Sequence, residues 1–106
     1  MSKNIRQNRY FLHFLQEAKS PTQKKLLLQS VTPEQLKVLT EIFYNLLHSD
    51  FPLSKQQLQS LRKHKKVLRF LGNKSNSTLR KKRLLKKSLT VIDLVLKIVG
   101  PLLKTL

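Results

Sequence analysis

The sequence contains no cysteine and no tryptophan, only two glycines and only five acidic residues among 106. Without cysteine the chain can form neither disulfides nor thiolate metal sites, which fits a reducing compartment. Gly72 and Gly100 lie too far apart to build a glycine-rich phosphate loop. His13, His48 and His64 fall on different predicted helices with no carboxylate at a useful spacing, and five acids do not easily make a multi-carboxylate site. We therefore expect no enzyme, no cofactor and no metal.

Positive charge is abundant, and it is concentrated in the second half of the chain. The formal net charge is +17, with seven basic and four acidic residues in 1–53 but fifteen basic and one acidic residue in 54–106. Between Arg62 and Lys87 there are twelve Lys or Arg and no acid. Such asymmetry indicates an anionic partner, either a nucleic acid or an anionic membrane surface.

The local signals are helical throughout, so the fold class is predicted to be all-α. Ser20, Thr32 and Ser54 each stand three residues before a glutamine, as in a capping box, and Pro21 and Pro33 occupy first helical positions. The spacing of apolar residues predicts a first helix whose buried stripe is Tyr10, Phe11, Phe14, Leu15 and Ala18.

Two longer helices are predicted over residues 33–49 and 55–71. The first should end near Asp50, because Pro52 disfavours helix at the residue before it. The second should end at Gly72, a good C-terminal stop. The two could form a helix-turn-helix, although the connection lacks the usual glycine.

We expect three parts: residues 1–72 as a small helical bundle with a basic last helix, 73–78 as a linker, and 79–106 as one C-terminal amphipathic helix that is first basic and then apolar. In its apolar part Asp93, Lys97, Gly100 and Lys104 should form a narrow polar stripe. Asp93 and Lys97 stand four residues apart in the favourable order for an ion pair.

The basic region predicts contacts with phosphates, which need charge and reach more than exact geometry. Its residues are mostly Lys, a point charge suited to phosphates, and only Phe70 could stack on a base, so binding should be independent of sequence. Phe70 stands beside Leu71, which suggests instead that it belongs to the core. The alternative interpretation of the basic region as a whole is a solvated face without a partner. The expected nucleic-acid-binding residues are Arg62, Lys63, Lys65, Lys66, Arg69, Lys74, Arg80, Lys81, Lys82, Arg83, Lys86 and Lys87.

The apolar end of the chain has three open interpretations: contact with an anionic membrane, self-association or binding of a partner such as a capsid protein, and packing on the protein's own core. It is short and polar for a membrane span, which needs roughly 20 mainly apolar residues. The residues expected to act as a membrane or partner helix are Val91, Ile92, Leu94, Val95, Leu96, Ile98, Val99, Leu102 and Leu103.

Several segments resemble the small basic core-like proteins of adintoviruses and Maverick/Polinton-type elements. The TPEQL helix start at 32–36, the PLS and LRKHKK segments at 52–54 and 61–66, the KKRLLKK stretch at 81–87 and the PLL tail at 101–103 carry the resemblance, which covers about residues 30–106. A basic block before an apolar PLL segment is similar to the adenovirus minor core protein. The resemblance implies a virion component that neutralises a packaged genome.

The function expected from the sequence is sequence-independent binding and charge neutralisation of nucleic acid, with double-stranded DNA as the expected partner, in a viral or viral-like DNA-condensing core protein. The alternatives are a membrane-active protein and a capsid or scaffold interaction module. A viral protein of this kind would occupy the virion and the host nucleus, and KKR at 81–83 is compatible with nuclear localisation. Because no apolar segment follows the polar start of the chain, we otherwise expect an intracellular, unsecreted protein.

Overall fold

The computed structural model of the protein describes residues 3–48 and 53–103, with side chains in the second range as far as Pro101. These residues form helices and no strands, which confirms the all-α prediction. The predicted stop at Asp50 and Pro52 lies outside the described residues, as does most of the turn of the possible helix-turn-helix. The helices are α1 (Lys3–Gln7), α2 (Arg9–Glu17), α3 (Pro21–Gln29), α4 (Pro33–Leu47), α5 (Lys55–Arg62), α6 (Lys65–Gly72), α7 (Thr78–Lys87) and α8 (Leu89–Leu103).

Three of these helices begin at the capping residues that the sequence predicts. The Thr32 hydroxyl accepts a bond from the backbone N–H of Gln35 at 3.1 Å, and the Gln35 side chain accepts one from the Thr32 N–H at 3.0 Å. Ser54 starts α5 with the same reciprocal pair, and Ser20 caps α3 by accepting one backbone bond. Each bond satisfies an N–H that has no partner within its helix.

The predicted helix over 55–71 is wrong in one respect, because it is two helices with a turn at Lys63 and His64. The N–H of His64 donates to the carbonyl of Leu61, three residues back, at 3.0 Å. The helical hydrogen-bond pattern is interrupted here, and the two helices have different neighbours, since α5 contacts α8 whereas α6 packs mainly on α4. Leu61 before the turn and Leu68 after it are both buried.

The predicted single helix over 79–106 is also two helices, α7 and α8, which meet at Ser88. The N–H of Ser88 donates to the Leu85 carbonyl at 3.2 Å, again three residues back. Leu85 of α7 and Ile92 of α8, on either side of this break, belong to the same core. The basic and apolar segments are therefore separate helices.

The predicted stripe of α2 is confirmed at Leu15 and Ala18, which are buried, but wrong at Tyr10 and Phe14. Tyr10 and Phe14 are 67% and 65% exposed, while Leu12 and Leu15 are buried. Leu12 and Leu15 lie three residues apart, and Ile5 of the preceding α1 is buried in the same cluster. Tyr10 and Phe14 lie on the other side of the helix, whereas Phe11 packs against the core, so α2 presents two large side chains to solvent.

The core is a single hydrophobic cluster to which helices from both ends of the chain contribute. Most of the residues expected to face a membrane or partner belong to this cluster, because α8 packs on α2, α3, α5 and α7. Leu94 is partly buried against the cluster, and the side chains of Leu102 and Leu103 lie outside the described residues. The expected residues that are buried are Val91, Ile92, Val95, Leu96, Ile98 and Val99.

The predicted polar stripe of α8 is only partly present, and its last member, Lys104, lies outside the described residues. Asp93 forms its ion pair with Lys24 of α3 and not with Lys97, which is exposed. Gly100 is buried against the side chain of Gln16. Among the described residues no helix is both long enough and apolar enough to cross a membrane.

The backbone of α6 comes very close to that of α4 at Gly72. A Cβ added at this glycine would lie 2.9 Å from the backbone nitrogen of Tyr44 and 3.1 Å from its Cα. Only a residue without a side chain allows this approach, and α4 is the helix on which α6 packs most extensively. The contact fixes α6, and with it the cations that α6 carries.

Candidate nucleic-acid interface

Most of the twelve predicted phosphate-binding residues are exposed on α5, α6, α7 and the turns that connect them. Lys82 and Lys86 are half-buried, and Lys81 is buried. Five of the exposed residues are Lys and four are Arg, so both point charges and planar, bidentate donors are available. The nine exposed cations are Arg62, Lys63, Lys65, Lys66, Arg69, Lys74, Arg80, Arg83 and Lys87.

Lys81 is a correction to the predicted set, because its side chain turns inward from α7. It is 4% exposed, and its ammonium donates a hydrogen bond of 2.9 Å to the Thr40 hydroxyl of α4. Removal from water lowers the pKa of Lys81 from its ordinary value. In this position Lys81 joins α7 to α4 and does not reach a phosphate at the surface.

A groove runs between α6 and α7 and combines an apolar floor with a positive rim. Its volume is about 440 Å³. Val67, Phe70 and Leu84 form the floor, and Val67 and Leu84 also pack against the core beneath. The rim consists of Lys66, Arg80, Arg83 and Lys87.

The described carboxylates form no ion pair with this surface, although Lys74 lines a second cavity together with Glu34 and Glu41. None of the twelve predicted residues forms an ion pair with a described carboxylate. Asp93, the only acid in the second half of the chain, is bound to Lys24 of α3. Lys65 and Lys66 also occupy the first turn of α6, where the helix dipole is already positive and cations are unfavourable. The surface is therefore an arrangement of like charges that an anion would relieve.

A second cavity, of about 660 Å³, lies on the other side of α7, and Lys81 lines it together with Thr40, Glu34 and Glu41. The described part of the chain contains no group of three or more His, Asp or Glu side chains that could hold a metal ion. The exposed His13 lies 3.9 Å from Glu17 one turn along α2. His48 stacks on the ring of Tyr44 with centroids 4.1 Å apart.

The groove is not predicted by the sequence, and neither is the role of Phe70 in its floor. The sequence predicts Phe70 in the core, but it is half-buried and lines the open groove. Val67 and Phe70 lie three residues apart on α6, so their shared face could be read from the spacing. Leu84 of α7 lies beside them only because the 73–77 segment turns the chain back, and the sequence does not predict how close this brings α7 to α6.

No protein-family model, no curated protein and no solved structure matches this chain. The resemblance to the basic proteins of adintoviruses and Maverick/Polinton-type elements therefore stays a prediction.

Proposed function

We propose that the protein binds nucleic acid without regard to sequence and neutralises its phosphates, as a DNA-condensing core protein of a virus or virus-like element would. The observation that carries the proposal is the set of nine exposed cations on neighbouring helices, none of them paired with a described carboxylate. Each Lys or Arg that meets a phosphate releases condensed counterions, and this release drives binding.

The chemistry of the exposed set favours contacts with the backbone over readout of bases. Base recognition in a duplex needs side chains with paired donors or acceptors fixed in a groove of the DNA. Here the exposed positions hold five Lys and four Arg, and they are spread over three helices and two turns instead of lying on one helix that enters a groove of the DNA. Such a surface supports contact with phosphates along a strand, whatever the bases are.

The proposal is tested by fluorescence anisotropy with two unrelated duplex oligonucleotides of equal length across a salt series. We expect nearly equal affinities for the two sequences and a steep linear fall of log K with log salt. Preference for one duplex would contradict sequence-independent binding, and absence of binding at low salt would overturn the proposal.

A matched pair of double variants separates the proposed surface from the effect of net charge. Arg80→Gln with Arg83→Gln removes two rim charges, whereas Arg6→Gln with Arg9→Gln removes two exposed arginines from α1 and α2, which do not line the groove. The rim variant should weaken binding to both duplexes equally and lower the salt slope by about 1.8, since each phosphate that is no longer neutralised lowers it by about 0.9. The control should change the slope much less. Equal effects of the two variants would show that net charge alone governs binding.

A further inference from the structure

We infer that the groove between α6 and α7 seats an unpaired base of a single-stranded nucleic acid, with the adjacent phosphates on its cationic rim. The inference rests on the proposed function and specifies which form of nucleic acid the same surface prefers. It predicts that a single strand makes one class of contact that a duplex does not, namely an apolar contact between a base and the floor of the groove.

Phe70 supplies the flat surface that such a base requires. The ring lies in the floor, half-buried and open to the groove, with Val67 and Leu84 beside it and the core below them. Bases stack on aromatic side chains with little dependence on sequence, because every base has a π-face. A cationic groove with an aromatic floor is the arrangement by which single strands are bound without sequence preference.

The apolar floor of the groove favours an unpaired base over a duplex. The groove is shallow and open, with a volume of about 440 Å³, so an unpaired base can lie against its floor without being enclosed. The bases of a duplex are stacked on one another and reach a pocket only when they are extruded, at a cost in free energy. A duplex would therefore contact Lys66, Arg80, Arg83 and Lys87 but leave the floor empty.

The distribution of charge favours a strand over a single anionic lipid, whose headgroup needs only the rim. Further exposed cations stand next to the groove residues in the chain, namely Lys63 and Lys65 before Lys66 and Arg69 after it, whereas Lys74 lines the second cavity. A strand carries a phosphate at every nucleotide and can use these further positions. We therefore assign the groove to a polyanion with an apolar group at each unit.

The test compares oligothymidylate with a duplex of the same length by anisotropy, using the full chain and its Phe70→Leu variant. Leucine keeps the floor apolar but removes the ring, so we expect affinity for oligothymidylate to fall about five- to tenfold and affinity for the duplex to change little. Phe14→Leu is the matched control, because Phe14 is an exposed phenylalanine on α2, outside the groove. It should alter neither affinity, and circular dichroism checks that both variants fold.

A second measurement uses the unaltered protein. Oligothymidylate containing 5-iodouracil, irradiated in the complex, should form its cross-link in the peptide that contains Phe70. A cross-link confined to the exposed aromatic residues Tyr10 and Phe14 of α2 would overturn the assignment of the groove.

The outcomes separate this inference from the proposed function. If Phe70→Leu lowers both affinities equally, or lowers neither, the groove does not seat a base. The proposed function would still be supported in that case by binding of the parent chain to the duplex. If neither nucleic acid binds at low salt, both ideas fail. The last measurement is binding of both proteins to phosphatidylglycerol vesicles. If Phe70→Leu loses vesicle binding but keeps oligothymidylate binding, the groove is assigned to lipid instead.

Discussion

Lys81 and Arg83 belong to the same basic stretch of α7, yet the structure predicts that only Arg83 contributes to binding of a polyanion. Arg83 is exposed on the rim of the groove, while Lys81 is buried against Thr40 of α4. The sequence alone treats the two residues as equivalent. Exchanging each for a neutral side chain therefore tests whether the fold, and not the local count of charges, determines which cations meet phosphates.

The perturbation at Lys81 must leave no polar group without a partner. Lys81→Met alone would strand the Thr40 hydroxyl, and an unsatisfied buried donor or acceptor costs about 1–3 kcal/mol. The double change Lys81→Met with Thr40→Val removes both partners of the hydrogen bond and keeps the volume of the site similar. The comparison variant is Arg83→Gln, which changes an exposed side chain.

The expected magnitudes follow from the number of phosphates contacted. Arg83→Gln should lower the slope of log K against log salt by about 0.9 for duplex DNA, and the double variant should leave it unchanged. For a fourfold increase in salt, a difference of about 0.9 in slope alters the ratio of affinities about 3.5-fold. Anisotropy titrations at several salt concentrations resolve an effect of this size.

A folded double variant that lowers the salt slope as much as Arg83→Gln does would refute this reasoning. It would mean that Lys81 meets a phosphate in the complex and that α7 turns or separates from α4 on binding. Circular dichroism and thermal melting of both variants, measured without nucleic acid, exclude loss of the fold as the cause.

Three further predictions concern stability. Gly72→Ala should lower the free energy of unfolding by about 1–3 kcal/mol, because the new Cβ would press on the Tyr44 backbone. The control Gly100→Ala would meet only the flexible side chain of Gln16, so in thermal melts it should be neutral or stabilising. The pKa of Lys81 is lowered in the folded state, so between that pKa and 10.5 the unfolded chain binds more protons than the folded chain. The free energy of unfolding should therefore rise with pH in this range, and more steeply in the parent chain than in Lys81→Met. The same dependence on pH in both proteins, measured by urea unfolding, would contradict this. Thr32→Ala should cost about 0.5–2 kcal/mol in urea unfolding through loss of the capping box, and no loss would deny that the cap matters.

The starts of the capped helices could be predicted because capping is local. Ser20, Thr32 and Ser54 act on backbone groups only two or three residues away, so their effect is encoded in a few adjacent letters. The same holds for the helical class of the chain, which follows from apolar spacing and from the near absence of glycine.

The two breaks at His64 and Ser88 could not be predicted, because neither carries a glycine or proline. Each is marked by one bond to the carbonyl three residues back, and the helices on its two sides pack on different neighbours, as α5 does on α8 and α6 on α4. These neighbours are set by tertiary packing, which overrides weak local preferences. Apolar spacing by itself therefore predicts two longer helices in place of the four that form.

The candidate surface shows the same division between local and tertiary information. The position of the cations in the chain is evident from the sequence, but the burial of Lys81 depends on Thr40, 41 residues away. The groove likewise depends on how Leu84 of α7 meets Val67 and Phe70 of α6. Contacts between distant segments decide which members of a basic run remain available.

The packing of α6 beside α7 brings like charges together without carboxylates to compensate them, and this has a consequence for the free protein. Mutual repulsion destabilises the compact state when net charge is far from zero, and dissolved ions screen it. Added salt should therefore raise the melting temperature of the protein alone while it weakens the complex. A polyanion that binds only the folded chain would replace the salt as the stabilising agent and act as a folding ligand.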